Sequence, residues 1–300
     1  MIISASRRTD IPAFFGDWFL WRLKEGHVLV RNPMNSRQVS RVRLDRGSVD
    51  AFVFWTKDIR PFLPVLDRLD NLGYPYFVQH TLNDYPGAIE AALPSLTERL
   101  DNLRRLAGRI GAGGLMWRYD PILFTAEIGP AEHLARFAGI CRVLEGRVTA
   151  CTFSFIQEYA KTVRNTRHLT IRKPDQAARL ELVGGLAEIA RQHGITLQCC
   201  CGGEYREFGV QPAACISRAH LEPLVGRPLE VRRDTGQRPD CHCVQSVDIG
   251  AYDTCRHDCQ YCYANSSPAR ISANWQGFDP QAAILGPPLQ DGDILTDRVR

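Results

Sequence analysis

Ala51-Phe-Val-Phe-Trp-Thr56 is an apolar run broken only at its end, and Lys57-Asp58 follow it directly. So short a run, bounded by charge, fits a strand buried on both faces, the condition of a parallel sheet covered by helices. Comparable runs lie at residues 2–6, 76–81, 115–119, 148–155 and 195–200. Between them, residues 14–25, 61–72, 88–107, 131–144 and 175–193 space their apolar side chains at three and four, as amphipathic helices do. Six strands alternating with helices predict an α/β fold, a partial or closed parallel (β/α)6-type barrel. An open doubly wound sheet is the alternative, because periodicity does not report closure.

In parallel α/β folds functional residues gather at the C-terminal ends of strands. Those ends read Arg7-Arg8-Thr9-Asp10, Trp55-Thr56-Lys57, His80-Thr81, Trp117-Arg118-Tyr119-Asp120, Ser154-Phe155-Ile156-Gln157 and Cys199-Cys200-Cys201-Gly202-Gly203-Glu204. Charge directly after an apolar strand is costly unless it is paired or faces a polar cavity. Together these ends predict a cleft in which Arg8, Asp10, Lys57, Arg118 and Asp120 do catalytic or orienting work. Arg7, Thr56 and Tyr119 are the candidate cofactor contacts. Each has a plainer reading alone; Asp10, for example, suits the cap of a helix that follows Pro12.

Composition narrows the class. A hydrophobic content of 44% in 300 residues is enough for a full core, and no apolar run reaches membrane-spanning length. A net charge of +4 argues against bulk nucleic-acid binding. Lys24, Lys57, Lys161 and Lys173 are the only lysines, and such arginine bias follows either from genome composition or from bidentate grip on anions. The N-terminus lacks the basic start and apolar core of an export signal. Eleven cysteines then point to a reducing cytoplasm and to metal, not to disulfides.

Two segments interrupt the alternation. Residues 28–44 read as a hairpin turning at Asn32-Pro33-Met34-Asn35. From about residue 227 periodicity fades, and Cys, Gly, Asp and Pro predominate. The expected division is a barrel-like domain at 1–226 and a Cys-rich metal-binding extension at 227–300, packed over the barrel mouth, with 284–300 as a loose tail.

Within the extension stands Cys255-Arg-His-Asp-Cys259-Gln-Tyr-Cys262. Three thiolates at this spacing can hold one face of a [4Fe-4S] cluster, which leaves either an open iron or a distant fourth ligand. A zinc site using His257 and unliganded thiols are the alternatives. Cys241-His-Cys243, with Cys215 and one of Cys199, Cys200 and Cys201, could form a second site; the candidate ligands there are Cys200, Cys201, Cys215, Cys241 and Cys243. It would hold a second [4Fe-4S] cluster or zinc. Cys141 and Cys151 read as core.

The Cys255 motif is similar to that of radical S-adenosylmethionine (SAM) enzymes, though those carry it after the first strand. That resemblance implies SAM bound through its amino and carboxylate groups to the open iron, Tyr261 near the adenine, and an external electron donor. Gly202-Gly203-Glu204 resembles their methionine-contacting segment but follows a different strand. Across the chain, Ile3-Ser-Ala-Ser-Arg-Arg-Thr-Asp-Ile-Pro12, Val30-Arg-Asn-Pro33, Val53-Phe-Trp-Thr-Lys57, Trp117-Arg-Tyr-Asp-Pro121 and Ser246-Val-Asp-Ile-Gly250 resemble the bacterial family called domain of unknown function 1848. This implies a C-terminal cluster and supplies no substrate. The expected function is therefore a radical-SAM-like enzyme acting on an unidentified organic molecule. A non-catalytic iron–sulfur or zinc sensor is the rival.

Overall fold

The structure is a computed structural model describing residues 1–200, 203–238 and 240–298. Its strands are β1 (Ile2–Ala5), β2 (His27–Arg31), β3 (Gln38–Arg43), β4 (Ala51–Thr56), β5 (Tyr76–Thr81), β6 (Leu115–Ile122), β7 (Ala150–Phe155), β8 (Thr196–Cys199), β9 (Gln211–Pro212), β10 (Val247–Asp248) and β11 (Ile294–Asp297). Eight of them form one sheet in the order β10-β1-β4-β5-β6-β7-β8-β9, every neighbour parallel. The six predicted strands therefore stand side by side in chain order, which a doubly wound sheet would not show. The sheet is open, with β10 and β9 at its edges, so the closed form of the expected barrel is corrected. Both edge strands are two residues long, and neither pairs with the other.

Helices α1 (Ile11–Phe14), α2 (Gly16–Glu25), α3 (Leu63–Asn71), α4 (Leu96–Ile110), α5 (Pro130–Leu144), α6 (Ala160–Asn165), α7 (Gln176–Gln192), α8 (Arg218–Val225) and α9 (Pro268–Gln276) complete the chain. Among the described residues no helix is long and apolar enough to cross a membrane. Local signals fix several ends. Ser95 and Glu98 form a capping box that starts α4, Asp175 caps α7, and Gly26 closes α2 at φ 71°.

Side-chain alternation along the strands sorts the sheet into two unlike faces. Ile3, Phe52, Phe54, Val78, Trp117 and Phe153 meet Phe19, Leu66, Leu106, Phe137 and Leu186, and so pack under α2, α3, α4, α5 and α7. The other parity begins apolar: Ile2, Ala51, Val53, Phe77, Met116 and Ala150 pack with Ile216, Leu221 and Leu229 from the region of α8. Further along the same strands this second face turns polar, with Ser4, Gln79, Arg118 and Thr152 all buried. A helix-covered face and a half-polar face on one sheet leave room for a site above α8.

The hairpin is present as β2 and β3, and the final segment adds β11 parallel to β3. The tail from 284 is thus not loose throughout. Ile284 and Leu285 are buried, Ile284 bridges Leu29, and Arg31 forms a bidentate pair with Asp293. One exposed four-residue strand and two ion pairs, Arg31–Asp293 and Arg41–Asp297, dock it, too little for periodicity to reveal.

Candidate functional site

A cavity of about 370 Å³ opens at the C-terminal ends of β1, β4, β6 and β7. Trp55, Arg118, Asp120 and Ser154, all of the polar parity, form one wall. Arg118 donates to Asp120 Oδ2 at 2.6 Å, to Gln79 Oε1 at 3.3 Å and to Cys215 Sγ at 3.0 Å. Asp120 also accepts from the Ser154 hydroxyl. Burial works against the Arg118 charge, but Cys215 and Asp120 outweigh it and raise its pKa further. Arg118 and Arg7 both lie over the Trp55 ring, at 5.2 and 5.7 Å from its centroid. This wall thus offers a fixed carboxylate, a hydroxyl and an aromatic plate with cations on it.

A second wall is the Cys255–Cys262 loop. It is docked on residues 89–92 by Gln260 N–H to the Ile89 carbonyl at 2.9 Å, Ala92 N–H to the His257 carbonyl at 3.2 Å, and a Glu90–Cys259 bridge. Asp258, at φ 52°, supplies the left-handed turn between the first two cysteines, a conformation Asp tolerates better than most residues. Two buried charge clusters hold the loop to the strand ends. Asp10 caps α1 through Ala13 N–H and accepts from Thr56 Oγ1, Lys57 N–H and His257 Nε2 at 2.8–3.1 Å. Glu90 accepts from Lys57 Nζ at 2.8 Å, from Arg99 at 3.2 Å and from the Tyr261 hydroxyl. Burial opposes the Glu90 charge, yet Lys57 and Arg99 hold its carboxyl below the usual range. The C-terminal segment is tied down again at β10, where Asp248 accepts from Ser4, Ser6 and the Arg7 N–H at 2.6–2.9 Å.

Cys255, Cys259 and Cys262 all line the cavity, and so do Cys200, Cys215, Cys241 and Cys243. Burial, reinforced by the neighbouring thiols, pushes the Cys255 thiol up; Cys259 and Cys262 are likewise raised by burial. Cys215 behaves oppositely. Hydrogen bonds with Cys200 and Cys243, together with Arg118, outweigh its burial and hold it well below the ordinary thiol range. Among the described residues no three His, Cys, Asp or Glu side chains are arranged to hold a single metal ion. Thiolates on one zinc converge at about 2.3 Å on a point, whereas each cysteine of a four-iron cluster takes a different iron.

The structure therefore brings Arg7, Arg8, Asp10, Thr56, Lys57, Arg118, Asp120 and Tyr261 to one cavity with seven cysteines. Their employment differs from the expectation in places. Asp10 and Thr56 are bound to each other and to backbone, and Lys57 and Tyr261 are joined to Glu90. Tyr261 meets Tyr85 edge-on in a small apolar cluster with Ile89 and Leu123. Tyr119 does not line the cavity. It is 1% exposed on the helix-covered face, 2.9 Å from His133 Nδ1. His257 bonds to Asp10, and Cys201 and Gly202 lie outside the described residues. Sequence reasoning missed Glu90, Arg99 and Asp248. Only Asp248 had a signal, being embedded in Ser246-Val-Asp-Ile-Gly250.

Fold and site define an α/β protein with a sequentially ordered parallel sheet and a cysteine-lined cavity at its strand ends. The family model described as Domain of unknown function (DUF1848) matches residues 2–264, and the chain belongs to that family. No curated protein and no solved structure matches it.

Proposed function

We propose that this chain is an iron–sulfur protein of radical-SAM-like type, with Cys255, Cys259 and Cys262 holding a [4Fe-4S] cluster and the sheet serving as a partial (β/α)6 barrel. The carrying observation is the position of the three thiols. They come from a loop near the end of the chain, yet they edge the cavity at the mouth of β1 and β4. The donor set fits the group: three thiols on one clamped loop, facing space, with Ala264 N–H donating to Cys262 Sγ at 3.3 Å. With SAM bound, such a cluster supplies one-electron chemistry, and the protein's part is placement and exclusion of water.

Each wall then has a task. Asp10 and Glu90 keep the cysteine loop seated, so Lys57 and Tyr261 are positioning residues. Trp55 offers a flat apolar surface for a ring or methyl group. Asp120, fixed by Arg118 and Ser154, accepts a hydrogen bond from a hydroxyl or amine of an organic substrate, and Arg7 balances an acidic group. A non-catalytic cluster is favoured by one observation: Cys241 and Cys243 line the same cavity and could close the open iron. Binding of radiolabelled SAM separates the readings. Anaerobically reconstituted protein should bind about one SAM per chain, and a Cys255→Ala/Cys259→Ala/Cys262→Ala variant none, since three-cysteine ligation leaves one iron free. Iron-loaded protein that ignores SAM would sink the enzymatic reading.

A further inference from the structure

We propose that Cys200, Cys215, Cys241 and Cys243 bind a second iron–sulfur cluster, facing the Cys255 loop across the same cavity. The proposal extends the reading of that loop but rests on different residues.

The four thiols come from three separate segments: the end of β8, the approach to α8, and the loop before β10. No helix or strand repeat brings them together, only the tertiary fold does. Burial alternates along Cys241-His242-Cys243, which puts both cysteine side chains on one side. Cys241 and Cys243 are 5% and 4% exposed and line the cavity, while His242 faces solvent. The backbone between them is anchored outward. Arg233 Nε donates to the Cys241 carbonyl at 3.0 Å, and Asp234 N–H donates to the Cys243 carbonyl at 2.9 Å. That anchoring aims both thiols inward.

Their surroundings are unlike those of a core cysteine. Cys141 and Cys151 are fully buried within the main apolar cluster, the ordinary role of a small hydrophobe. Cys215 and Cys200 instead accept hydrogen bonds from guanidinium groups, Arg118 at 3.0 Å and Arg238 at 3.2 Å. Two arginines donating to sulfur suit a centre whose four thiolates carry surplus negative charge. Four cysteines satisfy every corner of a four-iron cube, so this site, unlike the Cys255 triad, has no open iron. A substrate in the cavity would lie between the two thiol sets, and only the triad side would admit SAM. Loading requires iron and sulfide and releases the thiol protons.

The test uses the full chain reconstituted anaerobically with ferrous iron and sulfide, with iron and acid-labile sulfide counted per chain. Wild-type protein should hold about eight irons, and the Cys255→Ala/Cys259→Ala/Cys262→Ala and Cys215→Ala/Cys243→Ala variants about four each. Far-UV circular dichroism checks folding. Should a variant fail to fold, Mössbauer spectra of the wild type decide, two distinct four-iron sites supporting the proposal. A triad variant that folds but binds no iron overturns the second cluster and leaves the first intact. Wild-type protein with about four irons, all retained by the triad variant, supports the second cluster and removes the proposed function instead. One zinc without sulfide in the triad variant also overturns the proposal.

Discussion

Glu90→Gln is the sharpest probe of how the cysteine loop is held. The Glu90 side chain is 1% exposed, and its cationic partners Lys57 and Arg99 are 15% and 4% exposed. Gln keeps the shape and one acceptor but removes the carboxylate charge that pairs with both buried cations. Breaking a buried ion pair from one side costs about 3–5 kcal/mol. Glu90 lies beside Cys259 and between the loop's backbone contacts, so the loss falls first on local undocking, not on global unfolding. At 1.4 kcal/mol per decade, even 3 kcal/mol raises the undocked population roughly a hundredfold. The Gln260 and Ala92 amides report it directly, because each bonds across the junction. Hydrogen exchange read on peptides spanning 88–93 and 255–265 should lose protection by about that factor, with α5 and α7 unchanged. Lys57→Met in the Glu90→Gln background should restore part of it by removing one stranded cation. Protection within about twofold of wild type in Glu90→Gln would refute the reasoning, since a charge lock worth several kcal/mol cannot vanish silently.

Gly250 has no room for a side chain, because an added Cβ would sit 2.6 Å from Ser6 Cβ and 3.0 Å from Thr9 Cγ2. Gly250→Ala should therefore push β10 off β1 and cost about 1–3 kcal/mol, seen as a melting temperature lower by several degrees. His133 is buried with Nδ1 facing the Tyr119 hydroxyl and Nε2 facing the Leu123 carbonyl, and burial lowers its pKa to about 4. The unfolded chain takes up this proton from near pH 6.5 while the native state resists it. Stability should thus fall by about 3 kcal/mol between pH 6.5 and 4 and depend little on this group above pH 6.5. Urea midpoints across that range check the slope, and His133→Gln should reduce it to the part that His80 contributes, whose pKa burial also lowers to about 4.

The strands were legible because each is a short apolar run buried twice. The expected 51–56 and 76–81 coincide with β4 and β5, and the others differ at their ends by up to three residues. Residues 88–107 were only half right. Apolar spacing suggested one helix, but the Ser95–Glu98 capping box starts α4 at Leu96, eight residues later, and the stretch before it carries Glu90 to the cysteine loop. The strands β9, β10 and β11 and the helices α6, α8 and α9 escaped notice. The first two strands have two residues each, and all these elements lean on tertiary contacts more than on a periodic face. The cavity residues were found because Arg118 and Asp120 interrupt an apolar strand. Tyr119 between them faces the helices by the alternation of the strand itself, a signal that a reading of strand ends alone passes over. Glu90 and Arg99 could not be singled out, since a buried ion pair looks like surface charge until its partners are known, whereas Asp248 stood within Ser246-Val-Asp-Ile-Gly250.

The most direct measurement is the electron paramagnetic resonance spectrum of the anaerobically reconstituted, reduced full chain, recorded with and without SAM, beside the Cys255→Ala/Cys259→Ala/Cys262→Ala variant. A four-iron signal that shifts when SAM is added is expected in the wild type, and the variant should lose that shift. A wild-type signal that SAM leaves unchanged, or tightly held zinc without iron, would contradict the proposed function.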